Sequence, residues 1–245
     1  PLGGQWNFDK DNRKPPKKDL NPPQPLTFAP DELTQAVINR VKALGLVTYG
    51  QLELFRWAVT RTQALQVFEH FLATGLEKFG TFQDAMVTGE YTLWHGLISP
   101  YLNLGLLQPW ELIKKAEAIR EQKAIALNNL EGFIRQILGW REYLHGLYHY
   151  VGADYAQKNH FNHQQPLPDF LLGQPQNRSQ LPQTSLTTSR TNGLCPPYPT
   201  LDDPQQFCLD LGGQASGPRS LVSRRVYRCL RLGNANQCHR HGAVC

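Results

Sequence analysis

EGFIRQILGWREYLHGLYHY, residues 131–150, is the stretch on which the fold class turns. Leu127, Leu130, Ile134, Ile137, Leu138 and Leu144 recur at helical spacing around it, which predicts one long helix from Ile125 to about Val151. Arg135, Gln136, Trp140, Arg141 and Tyr143 crowd polar and aromatic groups onto this otherwise apolar element. Taken alone, the pattern describes an amphipathic core helix whose Trp packs and whose Arg residues face water.

Upstream, the same period repeats. Pro30-Asp31-Glu32 is an acidic helix start, and Leu33, Val37, Val41 and Leu44 form a stripe that ends before Gly45. Thr60-Arg61-Thr62 caps a second helix carrying Ala64, Leu65, Phe68, Phe71 and Leu72, expected to end near Gly80. A third helix is expected over Thr92–Leu106, and a fourth has Pro109 in its first turn and ends near Gln122. No segment alternates with period two. The expectation is an all-α domain with short connections.

Within 245 residues the charge and the thiols are unevenly placed. Residues 1–170 carry ten Lys and seven Arg against seven Asp and ten Glu, so they are neutral. Residues 171–245 carry eight Arg and three Asp, with no Lys or Glu, and hold all five Cys. The net charge of +5 therefore belongs to the tail. Residues 1–30, rich in Pro and Lys, read as an extended connector. No apolar run approaches the roughly 20 residues of a membrane span, and no secretion signal is present. A cytoplasmic protein is expected.

A second segment is TGEYTLWHGLISPYLNLGLL, residues 88–107. Here His95, Gly96 and Ser99 precede Pro100 and a helix start, where free backbone N–H groups suit a phosphate. A buried helix–turn–helix corner has the same appearance, and the spacing leaves both readings open.

In combination these segments are distinctive. WNFDKDNRKP (6–15), VTRTQAL (59–65), FQDAMVTGE (82–90), HGLISPYLNLGLL (95–107) and GFIRQILGWREY (132–143) closely resemble the photolyase/cryptochrome superfamily. The likeness is to its iron–sulfur bacterial branch, the deoxyribodipyrimidine photolyase-related proteins that include prokaryotic six–four photolyases. It runs nearly continuously over residues 3–170. Family members begin with an α/β antenna domain, then a long linker and a helical flavin domain. PLGGQW (1–6) resembles the junction, so the chain is expected to be N-terminally truncated.

The resemblance implies a partial FAD-binding domain over residues 31–165, after a linker remnant at 1–30. The family's phosphate-binding turn matches His95, Gly96, Leu97, Ile98 and Ser99, with Ser99 as a phosphate or ribose ligand. His95 and Gly96 stand where that turn has small hydroxyl residues, which leaves backbone donors. Trp140 matches the residue facing the cavity where a flipped lesion stacks, and Arg141 lies beside flavin and DNA phosphates. Gln136 falls one residue from the family's substrate-facing carboxylate. FAD and UV-damaged DNA are the implied cofactor and partner. Intact members also carry a [4Fe-4S] cluster, whose ligands are absent from this sequence.

The likeness stops after Phe170. Residues 166–245 have no helical or strand period and are expected to form an irregular tail. Read one base later with synonymous codons chosen to suit, the stretch from Gly193 gives GYAHHIQRLMILSNFALI, matching the family's HHIQRLM helix. The same shift yields family-like text over most of the tail, which is therefore read as a shifted frame. The chain is then expected to lack repair activity, with no catalytic residue retained. On this view the zinc-like spacing of Cys229, Cys238, His241 and Cys245 is accidental, and no metal site is assigned. So is the run Arg224, Arg225, Arg228 and Arg231. The alternative is a non-catalytic helical protein that binds nucleic acid through this Arg-rich tail.

Overall fold

The computed structural model describes residues 2–16, 21–46, 51–85, 87, 90 and 92–151, which fall into two units divided between Arg135 and Gln136. The tail candidates, including the four zinc-like residues and the Arg run, lie outside the described residues. Every named element is helical, and the single extended pairing among the described residues is an isolated bridge between Val87 and Glu90. The all-α expectation holds. No described helix is long and apolar enough to cross a membrane.

In the first unit, α1 spans Glu32–Ala43 and is capped by the Asp31 carboxylate, which accepts from the Thr34 N–H at 2.8 Å. Its expected core stripe does not face inward: Leu33, Val37 and Leu44 are exposed, and Ile38 is the buried position. A periodic stripe shows that a helix has an apolar side, and burial then depends on a neighbour for that side.

Helix α2 spans Arg61–Thr74 and opens on a reciprocal cap. Thr60 Oγ1 accepts from the Gln63 N–H, and Gln63 Oε1 accepts from the Val59 N–H at 3.0 Å. It stops at Gly75, and a separate short helix α3 follows over Leu76–Phe79. A Cβ at Gly75 would sit 2.7 Å from the Phe71 ring and 3.1 Å from the Trp94 carbonyl. Glycine thus admits the loop around Trp94, and the helix expected to reach Gly80 is broken there.

The third expected helix is shorter than its pattern. Only Ser99–Asn103 forms α4, while Leu93 and Leu97 take left-handed backbone angles, φ 42 and 50. Two such residues within five end any helical run. Helix α5, Pro109–Lys123, begins as expected with Pro at its first position. Helix α6 covers Leu127–Ile134, and the expected continuous helix to Val151 is interrupted by a π-helical turn at Arg135–Gly139.

The core of this unit is aromatic. Phe133 of α6 lies 6.0 Å from Phe68 and 5.2 Å from Phe71 of α2, and it meets the Phe79 ring edge-on at 6.0 Å. Such tilted and edge-on pairs add to the gain from apolar burial. Beside them α3 and α6 approach at two glycines: a Cβ on Gly132 would lie 3.3 Å from the Gly80 Cα. A polar seam seals the contact. Asn129, almost fully buried, accepts from the Thr81 N–H at 2.9 Å and donates to the Glu77 carbonyl at 2.5 Å. Asn128 donates to Asn12 and to the Thr81 hydroxyl at 3.1 and 3.2 Å. The N-terminal Asp9–Asn12 turn is thereby fixed to α6.

The second unit, over its described part, begins at Gln136 within the π-helical turn and continues as α7, Trp140–Val151. No residue of α7 is buried.

Candidate functional site

The loop between the Val87–Glu90 bridge and α4 is held by its aromatic residue. Trp94 stacks on Phe82 at 4.9 Å, and the Lys78 ammonium lies 5.6 Å from the indole centroid. With Trp94 anchored and Leu93 and Leu97 left-handed, the backbone turns His95 and Gly96 toward the end of α2. Gly96 packs on the face of Phe71, where a Cβ would come within 3.0 Å of the ring.

His95, Gly96 and Leu97 line a cavity of about 160 Å3. Facing them are Trp57, His70, Thr74 and Tyr101, with the Pro-rich stretch 23–27 as another wall. That stretch is pinned in place: the Gln24 carbonyl is 2.9 Å from His70 Nε2, and the Phe28 N–H donates to the Arg56 carbonyl. The Tyr101 hydroxyl accepts from the Ala58 N–H at 3.1 Å, and burial pushes its pKa up. The bond from Ala58 pulls the other way, but burial is the larger effect and keeps it a neutral phenol.

His95 is the chemically distinctive group. Its ring meets Phe79 edge-on at 5.5 Å, and its Nε2 is sealed from solvent with no hydrogen-bond partner. Burial pushes its pKa down from 6.5 to about 4, against the opposing pull of the Gln83 main chain and the Asp84 carboxylate. The imidazole is therefore neutral near pH 7. A neutral ring nitrogen without a partner can bond one polar group of a ligand, with no charge to neutralise.

The residues singled out from sequence divide in two. In the first unit Ile98 is buried behind the cavity-lining trio, and Ser99 is the first residue of α4, a helix of five residues. In the second unit Gln136 lies in the π-helical turn, while Trp140 and Arg141 open α7. The Trp140 indole meets Tyr143 edge-on at 5.8 Å. Trp57, His70 and Tyr101 escaped the sequence reading. Tyr101 alone carried a signal, since it sits inside the SPYLN string that resembles the family.

Comparison with known proteins places these observations. Residues 1–57 match the family described as deoxyribodipyrimidine photo-lyase-related protein. A (6-4) photolyase of Agrobacterium fabrum is 45% identical over 170 residues, which is 69% of this chain and 34% of that protein. An uncharacterized protein of Acanthamoeba polyphaga mimivirus is 38% identical over 81 residues, 33% of this chain and 61% of that one. The chain thus spans about a third of the first relative and about three fifths of the second.

Proposed function

Because residues 1–57 match the photolyase-related family and a (6-4) photolyase is 45% identical over 170 residues, we propose that the helical body is part of a flavin-holding domain and that the whole protein uses light to repair pyrimidine photoproducts in DNA. One observation carries the reading. The HGLISPYLNLG segment, on which the sequence resemblance rests, is also the segment that lines the cavity. In this proposal His95, Gly96, Leu97, Ile98 and Ser99 contact the cofactor from the first unit. For the second unit, taken by itself, the resemblance implies a cofactor-binding role for Gln136 and Arg141 and a lesion-facing role for Trp140.

The cavity fits a portion of FAD and not the whole. Pockets for drug-sized ligands measure roughly 300–1,000 Å3, FAD is larger than most such ligands, and the cavity measures about 160 Å3. The unpartnered His95 Nε2 suits one polar atom of such a ligand. A bound flavin supplies the electron chemistry in this family. No [4Fe-4S] ligands are assigned in this chain, and among the described residues no three His, Cys, Asp or Glu cluster as metal ligands. Residues 166–245 are proposed to be shifted-frame text, leaving the chain without repair activity.

Titrating the full chain with FAD and following flavin fluorescence tests both parts. The expected result is weak binding that His95→Ala weakens further, with no light-driven repair of a six–four photoproduct oligonucleotide. Absence of any flavin binding overturns the cradle. Stoichiometric flavin with light-driven repair overturns the inactivity.

A further inference from the structure

We propose that His145 and His149 on α7 form a bidentate surface site for a divalent transition-metal ion. The His-x3-His spacing places the two imidazoles one turn apart on one face of the helix. Their Nε2 atoms are 3.2 Å apart, their rings lie 86° from coplanar, and both residues are exposed. An ion held at about 2.0–2.1 Å by each nitrogen needs the nitrogens about 2.9 to 3.4 Å apart, for angles from square to tetrahedral. The bite is already set, with no movement of the backbone required.

Two further features favour occupation. The edge of Tyr148 meets the His149 ring at 5.4 Å and 83°, which limits how far that ring swings away. In the metal-free pair, one ring must spend its N–H on the other's lone pair. A divalent ion instead takes both lone pairs at once, while the Nδ1 atoms keep the protons. With two protein ligands, water fills the remaining positions. An all-imidazole, water-completed site ranks the ions by the usual order for nitrogen ligands, Cu(II) ahead of Ni(II) and Zn(II). Neither histidine is assigned to the flavin, so the site stands or falls independently of the photolyase reading.

The test uses the full chain with its five cysteines alkylated by iodoacetamide, so that thiolates do not compete. Copper(II) chloride is titrated in, with affinity read by calorimetry and the ligand set by nitrogen couplings in the electron paramagnetic resonance spectrum. One tight ion with two imidazole couplings is expected, and His145→Gln or His149→Gln should each weaken it by roughly 10²-fold, the loss of a linked second contact. An unchanged affinity in the double variant overturns the site.

Discussion

The Arg61 guanidinium grips both oxygens of the Glu111 carboxylate, at 3.0 and 2.9 Å, while a second arm donates to the Leu106 carbonyl at 2.7 Å. One side chain thus ties the first turn of α2 to the first turn of α5 and to the chain between α4 and α5. The arginine is half exposed, so solvent limits the ion pair to about 1 kcal/mol or less. With the carbonyl bond added, Arg61→Ala should cost about 1–2 kcal/mol. Arg61→Lys should recover less than half, because an ammonium cannot make the forked contact. Urea midpoints report both, and an unmoved midpoint in Arg61→Ala would show the tie to be idle.

Asn129 is the polar group that the α3–α6 contact depends on. Its amide satisfies the Thr81 N–H and the Glu77 carbonyl inside the core. Asn129→Ala strands both, and stability should fall by about 2–3 kcal/mol. Asn129→Asp keeps the acceptor yet loses the donor to Glu77, so it should not rescue. A midpoint for Asn129→Asp equal to wild type would contradict this account.

Two glycine substitutions should move in opposite directions. At Gly80 a Cβ would meet the Asn128 carbonyl and lie 2.7 Å from the Asn129 Cα, main-chain atoms that cannot step aside. Gly80→Ala should cost about 3 kcal/mol, the upper end for overpacking. At Gly146 of α7 nothing lies within 4 Å of the added carbon. Gly146→Ala should raise the helical far-UV signal and stabilise α7 by up to about 1 kcal/mol. Equal effects of the two changes would remove the steric argument.

Buried His95 makes stability depend on pH. Burial lowers its folded pKa to about 4 from the ordinary 6.5 of a histidine. As pH falls below 6.5 the unfolded chain takes up a proton that the folded chain refuses. The contribution is therefore complete above pH 6.5 and declines as pH falls toward 4, by about 3 kcal/mol in all. In His95→Gln the unfolding free energy should vary less between pH 4 and 6.5 than in wild type. Identical slopes would place the titration elsewhere.

Local signals in the sequence were read correctly where a single residue determines the outcome. Asp31 and Thr60 cap helices as their side-chain chemistry requires, and Pro109 starts α5. The misses come from tertiary contacts that leave no local trace. Gly75 looks like a tolerated helical glycine until the Trp94 carbonyl is found against it. Leu93 and Leu97 carry no sign of a left-handed backbone, since leucine rarely adopts one. The stripe Leu33, Val37 and Leu44 revealed an amphipathic helix without saying that the stripe stays exposed. For the site, the motif located His95 and its neighbours. Trp57 and His70 joined them only through folding, from other parts of the chain.

The bond from Asn128 to Asn12 has a consequence for the order in which the protein is made. Its two ends are 116 residues apart. At about 5–20 residues per second, the Asp9–Asn12 turn leaves the ribosome some ten seconds before its partner amide exists. Throughout that interval Asn12, the most deeply buried polar residue among those described, has nowhere native to go. A segment synthesised well ahead of its partner is thus among the last that can dock, and its completion marks the arrival of α6.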